Sequence, residues 1–362
     1  MRIDYVGIVL LSTAVSLLLI WVTNAGTSYD WWSTETILMV GGAVVAGVLF
    51  VVVELRSAEP LVPLTLFRNR TFTLAVIASI ATGIAMFGTS VFLSQYMQMA
   101  RGATPTEAGV MTIPMIAGLL LASVVVGALI TRHGHWKPYL IAGAVLLIAG
   151  SYTLSTIHYD TNFALVSLYM FLLGAGVGTT MQNLVLIVQN TARPTEMGVA
   201  SSGVTFFRSL GGTVGVSVMG ATLASSASTL VAERQNDIAA ALTALGAEGA
   251  QIAAQLQSGA IPQVATLPES LRVIFEDVYA TAIAHAFLLA VPVAVVSLIA
   301  IAFLPNVPLT RMTTSERIEA TEADLATVSV SEGMDALAAT GTITTPSEPP
   351  KPRDAAAGRE HR

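Results

Sequence analysis

The residues able to do chemistry are few, and their types exclude more than they offer. The sequence holds no cysteine, which removes thiolate metal sites and thiol nucleophiles. Its two lysines, Lys137 and Lys351, stand outside any Gly-x4-Gly phosphate-binding loop. The five histidines (133, 135, 158, 285 and 361) form no His-Glu-x-x-His pair, and no Gly-x-Ser-x-Gly elbow occurs. ATP-driven work, zinc hydrolysis and serine hydrolysis are not encoded; the chain reads as a non-enzyme that calls for no cofactor and no metal. Arg132-His-Gly-His135 lies among basic residues and reads as a solvated loop, not a metal clip. What remains is a polar set in apolar surroundings: Arg208, the amides Gln95 and Gln98, and Gln182, Asn183 and Gln189.

The surroundings identify the solvent these residues must live in. Of 362 residues, 54% are hydrophobic and 11% charged, against about 25% charged in ordinary soluble domains. Such a surface cannot be solvated by water, so the chain reads as an integral membrane protein with the lipid bilayer as its first partner. A net charge of −6 makes no case for nucleic acid. Crossing the hydrocarbon takes about 20 apolar residues at about 1.5 Å each. Gaps between charged residues hold two spans near 5–23 and 37–54, then one each within 71–100, 108–131, 138–159, 161–192, 197–232 and 278–310. The prediction is an all-α polytopic membrane protein with eight transmembrane helices. The first run exceeds the 7–15 apolar residues of a signal peptide and is read as a true span.

Basic residues set the orientation. With Met1 inside, Arg2, Arg56, Arg68, Arg70, Arg132, Lys137 and Arg193 face the cytoplasm, against Arg101, Arg234 and Arg272 outside. Both termini are then cytoplasmic, in a bacterial-type plasma membrane, and Trp31 and Trp32 lie at the outer interface. The chain divides into a helix pair over 1–54, a Pro-bearing cytoplasmic connector over 55–70, and six spans over 71–304 with an extracellular loop over 225–275. Pro268-Glu269 suits a helix start running into the last span, which Pro292 should kink. Residues 305–362 are poor in large apolar side chains and predict a disordered cytoplasmic tail, with helical turns near Ser315–Thr327.

A charge at the bilayer centre costs about 2.5–3.5 kcal/mol on insertion scales. Arg208 therefore predicts a polar bundle interior with an anionic or carbonyl partner, or else a structural pairing with neighbouring helix ends. Gln95 and Gln98 share a helix face. These amides, with Gln182 and Asn183, serve either as interhelical hydrogen bonds or as the lining of a solute path. Gly174-x3-Gly178 and Gly211-x3-Gly215 predict close helix packing. No carboxylate sits mid-span: Asp4 and Glu54 lie at helix ends. These residues alone supply no ordinary proton-coupling site, which rests on a membrane-buried acid.

Three landmarks occur in order. They are Glu54-Leu-Arg-Ser-Ala-Glu-Pro60-Leu-Val-Pro63-Leu-Thr-Leu-Phe67-Arg-Asn-Arg70; Gln95-Tyr-Met-Gln98-x3-Gly102 with Ala108-Gly109 and Pro114; and Arg208-Ser-Leu-Gly-Gly-Thr-Val-Gly215. Together they resemble the major facilitator superfamily, in particular its fourteen-helix drug:proton antiporters, over about Ile3–Leu304. The segment Gly127-Ala-Leu-Ile-Thr-Arg132-His-Gly134-His-Trp-Lys137 is similar to the superfamily's cytoplasmic gating loop, with Thr131 in place of its Asp and His135 in place of an Arg.

The resemblance implies a linker helix pair plus the six-helix C-terminal bundle of such a transporter, the C-terminal portion only, with the first six helices absent. It implies multidrug efflux, with amphipathic organic compounds exchanged for protons. Arg208, Gln95, Gln98, Gln182 and Asn183 would line the pathway, and Gly127, Arg132, Gly134 and Lys137 would form the gate brace. A separately encoded N-terminal half, or a second copy, would complete the site. Two other readings stay open: a non-transporting remnant or regulatory membrane subunit, and an uncoupled facilitator for a small solute.

Overall fold

In hydrocarbon every backbone N–H and C=O must find a partner within the chain, so each long apolar run closes its hydrogen bonds as a helix. The structure, a computed structural model, describes residues 4–24, 33–57, 64–193, 196–257 and 264–306. The helices are α1 (Tyr5–Asn24), α2 (Thr34–Glu54), α3 (Arg70–Met99), α4 (Pro105–Met111), α5 (Ile113–His133), α6 (Lys137–Leu154), α7 (Phe163–Thr191), α8 (Met197–Glu233), α9 (Gln235–Ala244), α10 (Gly246–Gln257) and α11 (Glu269–Ala302). Eight helical segments are long and apolar enough to cross a membrane, with α4 and α5 counted as one between Pro105 and His133. No strand occurs among the described residues. The fold is the all-α polytopic one that hydropathy predicts.

Polar residues at the ends stop and start these helices. Ser33 Oγ accepts from the Thr36 amide at 3.2 Å, and Asn69 Oδ1 from Thr71 at 2.9 Å. Thr104 and Glu107 form a reciprocal capping box with Pro105 in the first turn of α4. At the far end of α5, Gly134 takes φ 72° and returns its amide to the Ile130 carbonyl at 2.8 Å. That left-handed cap suits glycine, which has no Cβ to clash there.

The spans pack as interlocked pairs: α3 on α8, α5 on α7, α6 on α7, and α11 against α3, α6 and α8. The α1–α2 hairpin meets this group principally through α8. Lipid offers no hydrophobic drive between helices, so close backbone approach must hold them together. Glycines make it possible. A Cβ at Gly174 would lie 2.0 Å from the Met115 carbonyl oxygen, and one at Gly178 2.1 Å from that of Leu119. On the other seam, a Cβ at Gly211 would meet Ile80 O at 2.7 Å and one at Gly215 would meet Ile84 Cγ2 at 2.8 Å. Between α3 and α11, Thr82 Oγ1 and Ser297 Oγ are 3.4 Å apart, and Ser297 also donates to the Ala78 carbonyl at 3.3 Å.

Two helices outrun the hydrocarbon. α8 has 37 residues and α11 has 34, hence about 55 and 51 Å at about 1.5 Å per residue, against a core of about 30 Å. The stretch over 225–275, expected as a loop, therefore begins as a continuation of α8 and ends inside α11, with α9 and α10 between. Their meeting point has its own apolar cluster of Ile238, Val264, Leu267, Leu271 and Phe275, and Arg234 of the cap ion-pairs with Asp277 of α11. Glu269 opens α11 directly after Pro268, and the helix runs on through Pro292. The expected Trp31–Trp32 belt, the prolines of the connector (Pro60, Pro63) and the expected disordered tail beyond Asn306 lie outside the described residues.

The glycine seams give a direct expectation. Gly178→Ala should cost about 1–3 kcal/mol by overpacking and lower the melting temperature of the detergent-solubilised protein. Gly47→Ala, whose Cβ would meet nothing within 4 Å, should leave it unchanged or raise it slightly, since alanine favours helix by about 0.5–1 kcal/mol.

Candidate functional site

The α3–α8 seam positions the one charged side chain that, among the described residues, is buried deep in a span. A Cβ at Gly83 would fall 2.1 Å from the Arg208 carbonyl oxygen, so α3 supports the backbone of α8 at that residue. The side chain leaves the seam toward α7. Its Nη1 donates to the Met181 carbonyl at 3.2 Å and its Nη2 to Thr205 Oγ1 at 3.4 Å. The residue is 6% exposed. It lies about 16 Å along α8 from Met197, too deep for a simple reach to the headgroups. Among the described residues no carboxylate comes within ion-pair distance of it; the ion pairs found are Arg234–Asp277 and Arg272–Glu276. A guanidinium has five donors, and two of them are committed here. The arrangement is a fixed positive charge in low dielectric, held by a carbonyl and a hydroxyl and able to attract acceptor oxygens.

Arg208 touches α7 immediately before the two amides read from the sequence, and these part company. Asn183 is buried and donates Nδ2 to the Thr179 carbonyl of its own helix at 2.6 Å, whereas Gln182 is exposed. Adjacent helical residues point about 100° apart, so both cannot line one surface. Gln95 and Gln98 are half-buried, and Gln98 Nε2 bonds Ser94 O and Oγ, both at 3.2 Å. They lie about 18 and 22 Å up α3 from Gly83, the level of Arg208, so the structure does not bring them together with the arginine.

A feature not singled out in the sequence does accompany Arg208. Ser202, Thr205, Ser209 and Thr213 follow at helical spacing and are all exposed along one side of α8. Thr205 and Thr213 return their protons to the carbonyls of Ser201 and Ser209, at 3.1 and 3.0 Å. Such back-bonding satisfies a hydroxyl donor and leaves its lone pairs facing outward. The three-and-four spacing of hydroxyls around a lone arginine was the available signal.

Gly127 and Arg132 lie in the last turns of α5, Gly134 caps it and Lys137 opens α6; of the four, Lys137 bonds another span. Its Nζ donates to the Leu304 carbonyl at 2.8 Å, placing a cation at the C-terminus of α11, where the helix dipole favours it. Arg132 is exposed, Thr131 Oγ1 bonds the Gly127 carbonyl at 2.9 Å, and Tyr139 Oη lies 3.1 Å from His133 Nδ1. The opposite end of α3 is pinned by side chains also missed in the sequence. Tyr96 Oη donates to His158 O at 2.7 Å, Arg101 Nη1 to Thr161 O at 2.8 Å, and the Arg101 guanidinium lies 5.9 Å from the Phe163 ring centre. A cavity of about 470 Å³ opens there beside Arg101, Thr106, Glu107 and Met111, remote from Arg208.

Comparison with known proteins agrees with this architecture. The family model described as Major Facilitator Superfamily matches residues 3–216, from α1 into α8. An uncharacterised MFS-type transporter of Mycobacterium tuberculosis is 37% identical over 316 residues, covering 85% of this chain and 43% of that protein. Multidrug transporter protein MdtP of Bacillus subtilis is 32% identical over 254 residues, 70% of this chain and 46% of that one. The tetracenomycin C resistance and export protein of Streptomyces glaucescens is 29% identical over 266 residues, 73% and 49% of the respective lengths. This chain thus spans less than half the length of these relatives.

The match corrects the sequence reading, which confined the likeness to the C-terminal portion of a fourteen-helix antiporter. The matched residues, 3–216, lie in the N-terminal part of this chain. Apolar spans and loose Gly/Pro landmarks recur from one group of helices to the next, so they identify the family without fixing the register along it. This integral membrane protein belongs to the Major Facilitator Superfamily.

Proposed function

We propose that the chain takes part in moving small amphipathic organic compounds out of the cell in exchange for protons, with its N- and C-termini cytoplasmic. The observation that carries this reading is Arg208: a buried guanidinium without a carboxylate partner, beside an exposed row of hydroxyls on the same helix. Such a face is ill suited to lipid and well suited to a solute with an apolar body and acceptor oxygens. Gln182, exposed one residue beyond the Met181 carbonyl, is the nearest amide in sequence to that contact and adds a donor to the same wall. Gln98 and Asn183 act in this reading as hydrogen-bond donors within their own helices, and Gln95 lies far from the arginine along α3. Gly127–Lys137 forms the brace at the cytoplasmic end, Lys137 holding α11. The Streptomyces relative, an export protein by name, agrees with this direction of transport.

An uncoupled passage is the second reading. It is favoured by the lack of a mid-span carboxylate in the described helices, since Asp4 and Glu54 sit at helix ends. Flux of a dye through vesicles with and without an imposed pH gradient separates the two: coupled export follows the gradient, and uncoupled flux ignores it.

Arg208→Ala should reduce efflux of a neutral amphipathic dye such as Nile red at least tenfold at equal membrane abundance, with Arg208→Lys intermediate because lysine lacks the planar fork. Full efflux in the alanine variant would remove Arg208 from the pathway. Lys137→Met should speed hydrogen exchange in the last turn of α11, Ile299–Leu304, while leaving exchange in α8 unchanged. Unchanged exchange at Leu304 would show the cap to be dispensable.

A further inference from the structure

The α1–α2 hairpin does not close tightly on the rest of the protein. Where it meets α8, a groove of about 200 Å³ runs between Ala14, Leu18 and Trp21 of α1, Ala43 and Val44 of α2, and Leu210 of α8. Every lining side chain is apolar apart from the indole N–H of Trp21, and that donor is engaged by Thr36 Oγ1 at 3.3 Å. The ring alone therefore serves the groove. Small residues hollow it: Ala14 and Ala43 line it, and the neighbouring hairpin positions Gly41 and Gly47 would place a Cβ in open space.

We infer that this groove holds a segment of one acyl chain of a membrane phospholipid, wedged between the hairpin and α8. The groove is continuous with the exposed apolar face of the hairpin, because Leu18 and Val44 line it while remaining 36% and 59% exposed. It lies well inside the span: Ala14 is about 13 Å along α1 from Tyr5. A wholly apolar slot at that depth offers a headgroup no partner and a drug-like solute none of the polar contacts that fix its orientation. A flexible hydrocarbon chain supplies the dispersion contacts that the hairpin otherwise lacks along this seam.

The test uses the full chain in vesicles of phosphatidylcholine and phosphatidylglycerol (3:1) containing a phospholipid with a photoactivatable diazirine at mid-chain. Peptides carrying Ala14–Trp21 and Val40–Val44 should be labelled at least fivefold more than the peptide around Val124, which is 71% exposed on α5. Ala43→Leu, which fills the slot, should abolish the excess. Labelling no higher than at Val124, or an excess that survives Ala43→Leu, overturns the proposal, as does displacement of the label by a transported dye. A second measurement does not depend on that variant folding. With Trp31, Trp32 and Trp136 replaced by Phe, mid-chain dibrominated phosphatidylcholine should quench Trp21 at least twofold more strongly than a single Trp placed at Val124. Equal quenching would also reject the bound chain.

Discussion

Backbone contact at the glycine faces is the constraint from which the rest of this structure follows. Lipid solvates apolar side chains as well as a neighbouring helix does, so the spans have no hydrophobic reason to associate. They hold where carbonyls and Cα atoms of two helices come within van der Waals reach, at Gly174 and Gly178 against α5 and at Gly83, Gly211 and Gly215 between α3 and α8. A single methyl at most of these places would drive a Cβ to within 3 Å of main-chain atoms. Dispersion falls steeply with separation, so opening either seam would forfeit many contacts at once.

The α3–α8 seam also decides where the charge goes. With Gly83 beneath the Arg208 carbonyl, that side of α8 is filled by α3, and the guanidinium projects to the Met181 carbonyl of α7. A carbonyl and a hydroxyl are weaker counterparts than a carboxylate. They keep the charge in place without neutralising it. Along the neighbouring side of α8, Ser202, Thr205 and Thr213 return their hydroxyl protons to carbonyls of their own helix.

The two ends of the helices are built differently. At the end where Lys137 meets the Leu304 carbonyl, one long flexible side chain links α6 to α11. At the other end, α8 and α11 run on into a small apolar cluster closed by Arg234 and Asp277, and Tyr96 and Arg101 clasp the turn between α6 and α7. The second end has more independent attachments, each with its own partner. The hairpin is the least committed part: its close point lies at Gly42, where a Cβ would come 3.1 Å from Leu17 Cδ1, while Gly41 and Gly47 face open space.

Hydropathy and charge gaps alone determined the membrane class and the count of eight spans among the described residues, because the cost of transferring a whole segment into lipid is a sum over its own residues. Arg208 was legible for the same reason, as one large penalty in an otherwise apolar window. Tertiary structure decided what a sum cannot hold. Asn183 and Gln182 are neighbours in sequence yet face the interior and the exterior, Gln95 and Gln98 lie far up α3 from the arginine, and Lys137 bonds a residue 167 positions away. The region over 225–275, expected as a loop with short helical parts, carries α9 and α10, and Ile238 of α9 meets Leu271 and Phe275 of α11 in one small apolar cluster. Which side of a helix is buried depends on what packs against it, and that information resides in the neighbours.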